Sequence, residues 1–374
     1  MKTFQAGSYV NQGHYKSFQP NLINKNWRLD DMEIIRLLGQ ADRQIGRLDM
    51  FSKYTPNLEM FIQMHVTKEA TQSSKIEGTK TNIEEALMEE KDVALSQIND
   101  WTEVQNYIGA MNYGMKRLQE LPFSSRLIKE THAIILTGTR GEQKYPGNFR
   151  KSQNWIGGAT IADAVFIPPV HTSINDLMSD LEKFAHNESE YFPELLKIAL
   201  IHYQFETIHP FLDGNGRVGR LFITLYLVAK GLLKQPLLYI SDFFERNRAL
   251  YYDNLMRVRL NNDINQWFKF FLVGVIETTT NGISTFEQIL QLQKTAEIKI
   301  NTLGSRTANA QKVLNYLYQK PIVNTSTVGT VAGLSAASAY KLVKDLERLN
   351  ILKDVTGAQR GRSYVFEDYL SLFR

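Results

Sequence analysis

The chain has 374 residues, and at roughly 150 residues per domain this length predicts two or three domains. Hydrophobic residues make up 43% of the chain and charged residues 22%, a balance that excludes wholesale disorder. The absence of cysteine excludes disulfides, thiolate catalysis and cysteine zinc sites. We expect a cytoplasmic globular protein without a membrane partner, because the first residues lack the apolar run of a signal peptide and no segment is long enough to span a membrane.

Charge is unevenly distributed along the chain. The formal net charge is +4. Residues 301–374 contain ten Lys or Arg and five Asp or Glu, a net of +5, which leaves −1 for residues 1–300. The basic bias therefore lies at the C-terminal end.

Helical periodicity dominates residues 1–300, where apolar residues recur three and four positions apart. The predicted helices cover residues 31–50, 102–118, 173–185, 193–208 and 218–230. Residues 141–170 break this pattern with Pro146-Gly147, Gly157-Gly158 and Pro168-Pro169. Such pairs favour turns, so the segment is expected to be a turn-rich loop or a small hairpin. The fold class is therefore mainly α, a helical bundle that carries a small β-hairpin.

The C-terminal part has a different character. A helix is predicted over residues 265–302, and Leu303-Gly304-Ser305 is expected to be a joint after it. The predicted elements that follow are helices over 308–319, 325–332 and 336–349, and short extended pieces on either side of the loop 356–362. A winged helix-turn-helix domain has this same order of elements: helix, short helix, turn, helix and β-ribbon.

A glycine-rich segment follows the helix of residues 193–208. Gly214-Asn-Gly216-Arg-Val-Gly219 matches the G-x-G-x-x-G dinucleotide fingerprint. That fingerprint requires a preceding strand, whereas these glycines follow a helix, so a nicotinamide enzyme is not expected. A glycine turn that opens a helix exposes N–H groups at the positive end of the helix dipole, and Arg217 and Arg220 share one face of its first turn. The segment therefore predicts a phosphate-binding site.

Three nearby side chains add to this prediction. Asp213 would repel a bare phosphate, so its expected task is to hold Mg²⁺ that bridges phosphate oxygens. His209 ends the preceding helix and is placed to act as a general base, because a histidine pKa of about 6.5 lets it accept a proton near neutrality. Phe211 is predicted to be a loop anchor that packs into the core.

Residues 209–220, His-Pro-Phe-Leu-Asp-Gly-Asn-Gly-Arg-Val-Gly-Arg, resemble the signature H-P-F-x-[DE]-G-N-G-R-x-x-R of Fic-domain proteins at every fixed position. The resemblance implies a helical Fic-domain bundle that transfers AMP from ATP to a Ser, Thr or Tyr hydroxyl on a protein. It implies that His209 deprotonates the hydroxyl and that Asp213 coordinates Mg²⁺. It also implies phosphate contacts from Gly214, Asn215, Gly216, Arg217 and Arg220.

The resemblance extends beyond the signature. Residues 146–150 and the stretch through Pro168-Pro169 are similar to the family's flap, a hairpin expected to pair with the target segment as an added strand. Val165 and Phe166 in the flap are expected at the nucleotide, as is Tyr252, in a region similar to the family's adenine site. We further expect a homo-oligomer, in the form of a dimer, and self-modification.

A second motif lies upstream. Residues 73–78, Ser-Ser-Lys-Ile-Glu-Gly, resemble the family's inhibitory signature [ST]-x-x-x-E-[GN]. Ser73 and Glu77 are one helical turn apart, Gly78 can end the helix, and a capping box over Thr81–Glu84 is expected to start the next one. A carboxylate at this helix end could pair with Arg220 and displace the γ-phosphate of ATP.

These assignments predict the domain borders. Residues 1–100 form an N-terminal helical region with the inhibitory helix at about 59–78. Residues 101–280 form the Fic domain, 281–303 a linking helix, and 304–374 the winged helix-turn-helix domain.

Other interpretations stay open at this stage. His202, Glu206 and His209 lie at i, i+4 and i+7 and could share a metal in a hydrolase, although their spacing is not H-E-x-x-H. Within the Fic resemblance, some relatives use other nucleotides, transfer phosphocholine or remove AMP.

A DNA-binding regulator is the remaining alternative, because the basic bias lies in the predicted winged helix. Its expected DNA contacts are Lys341, Lys344 and Arg348 on the recognition helix and Arg360 and Arg362 in the wing.

Overall fold

A computed structural model describes residues 4–54, 58–189, 191–355 and 362–374. The fold is mainly helical, as predicted, with two small antiparallel sheets. The helices are α1 (Met32–Tyr54), α2 (Leu58–Ile76), α3 (Ile83–Ala86), α4 (Ile98–Arg117), α5 (Ser125–Leu136), α6 (Ile174–His186), α7 (Glu194–Ile208), α8 (Asn215–Ala229), α9 (Ser241–Arg246), α10 (Arg248–Asn261), α11 (Ile264–Asn301), α12 (Thr307–Leu317), α13 (Thr325–Ala332), α14 (Ala336–Arg348) and α15 (Glu367–Leu370). The strands are β1 (Gly7–Asn11), β2 (Lys16–Pro20), β3 (Ile322–Asn324), β4 (Lys353–Asp354) and β5 (Ser363–Val365).

The centre of the fold is the pair α7 and α8. Every residue of α7 from Leu195 to Ile208 is buried, which is the behaviour of a helix that is covered on all sides. Helices α2, α4 and α5 pack around α8, and α6 and α11 pack around α7. The indole N–H of Trp267 in α11 donates to the Ala199 carbonyl of α7 at 2.8 Å. The segment that joins α7 to α8 is therefore held between two rigid, buried helices.

Helix α11 runs from Ile264 to Asn301, within one residue of the helix predicted over 265–302. Residues 281–301 of the predicted linking helix, 281–303, belong to it without interruption. Its buried face also continues past residue 280 and packs against α1, where Gly282 lies beside Leu48. The predicted border at residue 280 thus falls inside one continuous helix.

An N-terminal hairpin was not predicted. Strands β1 and β2 pair in antiparallel register with Tyr9 opposite Phe18. The Phe18 N–H donates to the Ile167 carbonyl of the flap at 2.8 Å, and the Phe18 ring lies 5.8 Å from that of Phe166. Neither strand has strong apolar alternation, so its pairing depends on the flap surface that it covers.

The C-terminal elements follow the predicted order of helices. Strands β3, β5 and β4 form an antiparallel sheet in that spatial order, and β3 was not predicted. Residues 356–361 of the predicted wing loop lie outside the described residues. This part packs back onto α2, where the Phe61 ring lies 5.2 Å from Tyr318 and the His65 ring 4.9 Å from Phe373. The helix that carries the predicted inhibitory motif therefore also carries contacts to the C-terminal elements.

The predicted capping box is displaced by one residue. Asn82, not Thr81, is the N-cap of α3, and its side chain accepts from the Glu85 N–H at 2.8 Å. The Glu85 carboxylate accepts from the Asn82 N–H at 3.0 Å. The expected box at Thr81 and Glu84 was wrong, because the Thr81 side chain is buried (3% exposed) and not available to cap the helix.

The buried imidazole of His65 predicts a pH dependence of stability. Burial, and then the charge of Lys68, lowers the pKa of His65 to about 3 from its ordinary 6.5. Below pH 6.5 the unfolded chain binds a proton at this residue that the folded chain does not, so the free energy of unfolding falls with pH by about 1.4 kcal/mol per unit. We expect His65→Leu to flatten the decline of Tm between about pH 6.5 and pH 4. Parallel Tm curves for the two proteins would contradict this assignment.

Candidate active site

The α7–α8 connection has an unusual backbone at both ends. His209 ends α7 in the left-handed region with φ of 49°, and its N–H donates to the Phe205 carbonyl at 2.9 Å. Gly214 begins α8 with φ of 76°, a conformation that favours glycine. Pro210 cannot continue the preceding helix. The connection therefore turns sharply and directs the N-terminus of α8 toward the end of α7.

Hydrogen bonds within the connection fix its shape. The Asn215 side chain accepts from the Phe211 N–H and donates to the Phe211 carbonyl, both at 2.9 Å. The Phe211 ring is fully buried and stacks on His132 at 3.7 Å between ring centroids. Phe211 thus lies in the core, where the loop anchor was predicted. The Asn215 side chain holds the backbone of the loop and does not point outward.

His132 is a functional residue that sequence reasoning missed. Its Nδ1 accepts from the Gly147 N–H at 2.8 Å, so its proton is on Nε2, which donates to the Asp213 carbonyl at 3.0 Å. Burial lowers the pKa of His132 to about 4, which keeps the ring neutral in this role. His132 therefore connects the start of the flap to the backbone at Asp213.

Two further side chains hold the backbone of His209. The Arg150 guanidinium donates to the carbonyls of His209 at 3.0 Å and Pro169 at 2.6 Å, which lie on the two sides of the flap base. The Asn154 amide donates to the same His209 carbonyl at 3.2 Å and to Phe211 at 2.9 Å. The sequence placed Arg150 in the flap but gave it no role.

The imidazole of His209 is neutral over the physiological range. It is 19% exposed, and its Nδ1 lies 4.0 Å from the Glu206 carboxylate. Burial lowers the pKa of His209 to about 3, and the positive charges of Arg259 and Arg150 act in the same direction. A neutral, partly accessible imidazole is able to accept a proton from a bound hydroxyl.

Arg217 lies beneath the connection and is paired with an unpredicted partner. The Glu103 carboxylate of α4 lies 3.2 Å from the Arg217 guanidinium, and Asp213 lies 3.7 Å from it. Glu103 is 1% exposed and also accepts from the Thr79 hydroxyl at 3.0 Å and pairs with Arg140 at 3.0 Å. Asp213 itself is 38% exposed. Its carboxylate is therefore accessible as a hard oxygen ligand, while Arg217 is held in the protein interior.

Arg220 is held by the predicted inhibitory motif. Its guanidinium donates to the Ser73 hydroxyl at 2.9 Å, to the Ser73 carbonyl at 2.9 Å and to the Glu77 carboxylate at 2.6 Å. A Cβ at Gly216 would lie only 2.1 Å from the same Glu77 oxygen. The carboxylate of Glu77 thus covers the first turn of α8, and Gly78, with φ of 99°, turns the chain away directly afterwards.

The charge of Glu77 is stabilised in this position. Burial alone would raise its pKa, but the charge and hydrogen bond of Arg220 lower it below its ordinary value. The carboxylate therefore remains ionised at neutral pH and lies at the positive N-terminal end of α8.

Two stretches of the chain match models of known families. Residues 35–116 match the profile described as Fic/DOC family N-terminal, and residues 122–227 match the profile described as Fic/DOC family. The second match contains the whole α7–α8 connection. The chain belongs to the Fic/DOC family.

Curated relatives of this Fic protein are named as adenylyltransferases. A probable protein adenylyltransferase of Aquifex aeolicus is 29% identical over 176 residues, which are 47% of this chain and 52% of the relative. A protein adenylyltransferase Fic of Aedes aegypti is 32% identical over 125 residues, which are 33% of this chain and 22% of the relative. The chain thus spans about half the length of the first relative and about a fifth of the second.

Solved structures share the fold. A Fic family protein from Desulfovibrio desulfuricans G20 has a TM-score of 0.59 at 19% identity, over 91% of this chain and 98% of that one. Residues 134–508 of Fic-1 from C. elegans have a TM-score of 0.51 at 18% identity, over 70% of this chain and 74% of that one. At such identities the likeness concerns the fold alone. In the described part of this Fic protein, no helix is long and apolar enough to cross a membrane.

The predicted nucleotide contacts outside the signature lie in different environments. Val165 is 66% exposed on the flap, whereas the Phe166 ring is 2% exposed and lies under the Arg259 guanidinium at 3.9 Å. Tyr252 is 38% exposed; burial and then the charge of Glu77 raise its pKa, while Arg220 acts in the opposite direction. The structure therefore brings Tyr252 near the α8 end of the site and buries the Phe166 side chain within the flap.

The geometry contradicts the metal-hydrolase alternative. His202 is buried with both ring nitrogens engaged, Nδ1 with the Gly219 carbonyl at 3.0 Å and Nε2 with the Tyr251 hydroxyl at 2.8 Å. Among the described residues, no group of three or more His, Asp or Glu side chains could hold a metal ion. His202 therefore serves packing between α7, α8 and α10.

The predicted DNA contacts of the C-terminal part are largely paired within the protein. Lys344 pairs with Glu347 at 2.6 Å, Arg348 pairs with Asp345, and Arg362 pairs with Asp354 at 3.4 Å. Arg360 lies outside the described residues. These ion pairs reduce the positive charge that a DNA backbone would meet. They give DNA binding no support, and it stays a prediction.

Proposed function

We propose that this Fic protein transfers AMP from ATP to a Ser, Thr or Tyr hydroxyl of a protein and releases pyrophosphate. The observation that carries the proposal is the placement of neutral His209 at one end of a loop whose other end opens α8 beside Arg217 and Arg220. One end can accept a proton, and the other can bind a triphosphate.

The transfer uses these groups in a defined order. The target hydroxyl gives its proton to His209 as its oxygen attacks the α-phosphorus, the new O–P bond forms, and the bond from the α-phosphorus to the bridging oxygen of pyrophosphate breaks. The backbone of Gly214, Asn215 and Gly216 would bind the phosphates through N–H groups, of which the Gly214 N–H donates to the Asp213 carboxylate at 2.6 Å in the described conformation. Arg217 and Arg220 offset the negative charge that develops on pyrophosphate.

Asp213 would hold Mg²⁺. Its carboxylate is accessible and belongs to the class of hard oxygen ligands that Mg²⁺ takes together with phosphate oxygens. When bound, the ion neutralises charge on the phosphates. The Asp213 backbone is held by His132, so the residue is positioned before the ion arrives.

The proposal includes autoinhibition by Glu77. In the described conformation Glu77 takes the donors of Arg220 and the space at Gly216 that a terminal phosphate would use. ATP must displace this carboxylate to bind productively. Two anions cannot share one buried arginine without strong repulsion.

The target protein is expected to approach the flap. In the flap, Phe166 forms an isolated β-bridge with Ile156, and the next carbonyl, of Ile167, already accepts a hydrogen bond from the Phe18 N–H of the N-terminal hairpin. A target segment that adds to the flap would therefore meet a surface that includes this hairpin. Assembly as a homo-oligomer and self-modification, expected from the resemblance, belong to the same proposal.

The deciding experiment incubates the purified Glu77→Gly protein with Mg²⁺ and ATP labelled on either the α- or the γ-phosphate. We expect the α label, and a mass gain of one AMP, on the protein itself or on an added lysate protein. Removal of Mg²⁺ with EDTA should abolish the label, because phosphate charge is then uncompensated. Retention of the γ label instead would make the protein a kinase and overturn the proposal.

A further inference from the structure

Glu206 is a buried carboxylate without a hydrogen-bond partner for one of its oxygens. The residue is 6% exposed in the last turn of α7, and its Oε1 has no partner among the described residues. A Cβ at Gly219 would lie 2.3 Å from this oxygen, so α8 passes directly over it. An unsatisfied buried carboxylate oxygen is unfavourable for stability, which suggests a functional reason for it.

The second unsatisfied atom in the same place is on the general base. Nδ1 of His209 is buried and has no hydrogen-bond partner within the described residues, and it lies 4.0 Å from Oε2 of Glu206. The carboxylate and the imidazole are thus adjacent, and the backbone of Glu206 also lies at the ring and favours its protonated form.

The charges around His209 make such a partner necessary. When His209 accepts the hydroxyl proton it becomes a cation, and the neighbouring guanidinium groups of Arg259 and Arg150 oppose that charge. Glu77 favours the cation, but ATP must displace Glu77 before transfer. Glu206 is then the carboxylate nearest to Nδ1 among those that face the ring.

We propose that the carboxylate of Glu206 positions His209 through Nδ1 and offsets the imidazolium charge that forms when the target hydroxyl is deprotonated. The proton moves from the hydroxyl to Nε2 of His209, while the Nδ1–H is directed to Glu206 and stays on the ring. Glu206 touches no substrate atom and is a positioning residue. The inference rests on the proposed AMP transfer and extends it to a residue outside the family signature.

The protonation of Glu206 makes the inference testable by pH. Burial raises its pKa to about 7; Arg220 and Arg259 lower it and Glu77 raises it. Tyr251, Tyr252 and His209 are further titratable groups around it. Glu206 supports His209 only when ionised, so the transfer rate should rise with pH across its titration.

The test measures kcat, the KM for ATP and the pH profile of AMP transfer in the Glu77→Gly protein with and without Glu206→Gln. Glutamine keeps the shape but cannot offset an imidazolium charge. We expect kcat to fall about 100-fold, within the range of general-base contributions, with the KM for ATP unchanged. The rise of rate between about pH 5 and pH 8 should disappear in Glu206→Gln and persist in Glu206→Asp.

A control variant and an NMR measurement on His209 distinguish a positioning role of Glu206 from a purely structural one. Glu194→Gln alters another glutamate of α7, which pairs with Lys197 at 3.0 Å, and should leave the pH profile unchanged. NMR chemical shifts of the His209 ring nitrogens above about pH 7, where Glu206 is ionised, should change in Glu206→Gln, whether or not the protein is active. An unchanged pH profile and unchanged ring shifts would overturn the inference even if kcat falls, whereas absence of AMP transfer from the Glu77→Gly parent would instead reject the proposed function.

Discussion

Glu77→Gly is expected to raise the rate of AMP transfer about 100-fold over the wild-type protein, because it removes the carboxylate that occupies the donors of Arg220; this ratio corresponds to about 2.7 kcal/mol in the activation barrier. In the wild type, Glu77 contacts Arg220 at 2.6 Å and lies over Gly216. In the variant, Arg220 is left without a carboxylate partner and the terminal phosphate of ATP can take its donors. The rate is measured as the α label incorporated per minute at a saturating concentration of Mg²⁺ and ATP.

Two comparisons make the Glu77 result specific. Glu59→Gln changes an exposed glutamate in the first turn of the same helix and should leave the rate at the wild-type level. ATP should also raise the Tm of Glu77→Gly more than that of the wild type, because a ligand stabilises a protein in proportion to its affinity for the folded state. Equal labelling of the wild type and Glu77→Gly would exclude the inhibitory role of Glu77.

His209→Ala in the Glu77→Gly background is expected to lower kcat by about 100-fold to 10,000-fold, the range for loss of a general base. The KM for ATP should change little, because the phosphates face α8 and its arginines rather than the imidazole. The backbone of residue 209 is held by Arg150 and Asn154 through its carbonyl, which alanine retains. Loss of activity would therefore report the missing ring and not a collapsed loop.

The control for this variant is His171→Ala, which removes an exposed imidazole next to α6. Its rate should equal that of the Glu77→Gly parent. Full AMP transfer by the His209→Ala protein would show that another group accepts the hydroxyl proton. In that case the assignment of His209 as the base would be withdrawn.

Local sequence pattern predicted much of the helical framework. The period of apolar residues placed α1, α4, α6, α7 and α8 close to their observed ends, because a helix that packs against a core must repeat its apolar face every three to four residues. The signature of residues 209–220 identified the loop that joins the two most buried helices. The hairpin of β1 and β2 was missed, because its strands are short and gain their stability from the flap beneath them.

The identity of the N-cap residue of α3 also depended on tertiary contacts. Thr81 and Asn82 are both good N-cap residues, and burial of the threonine leaves the role to the asparagine. The helix predicted over residues 265–302 is observed as α11 (Ile264–Asn301), and its buried face packs along α1.

The sequence by itself determined the chemical groups of the site and their order along the chain. A base, a loop anchor, an accessible carboxylate, a glycine turn and two arginines follow one another within twelve residues. Their local spacing was sufficient to predict a phosphate site, because helix geometry relates neighbouring residues directly.

Only the tertiary structure decided which partners hold these groups. Arg217 meets Glu103 of α4, a partner that was not predicted. The contact of Arg220 with Glu77, 143 positions away, was expected only through the family resemblance and not from any local pattern. His209 lies between Glu206 and two arginines that arrive from the flap and from α10. Such contacts depend on how helices pack against each other, and no local period encodes that arrangement. The tertiary structure therefore sets the charges around the His209 imidazole, and with them the pKa of that ring.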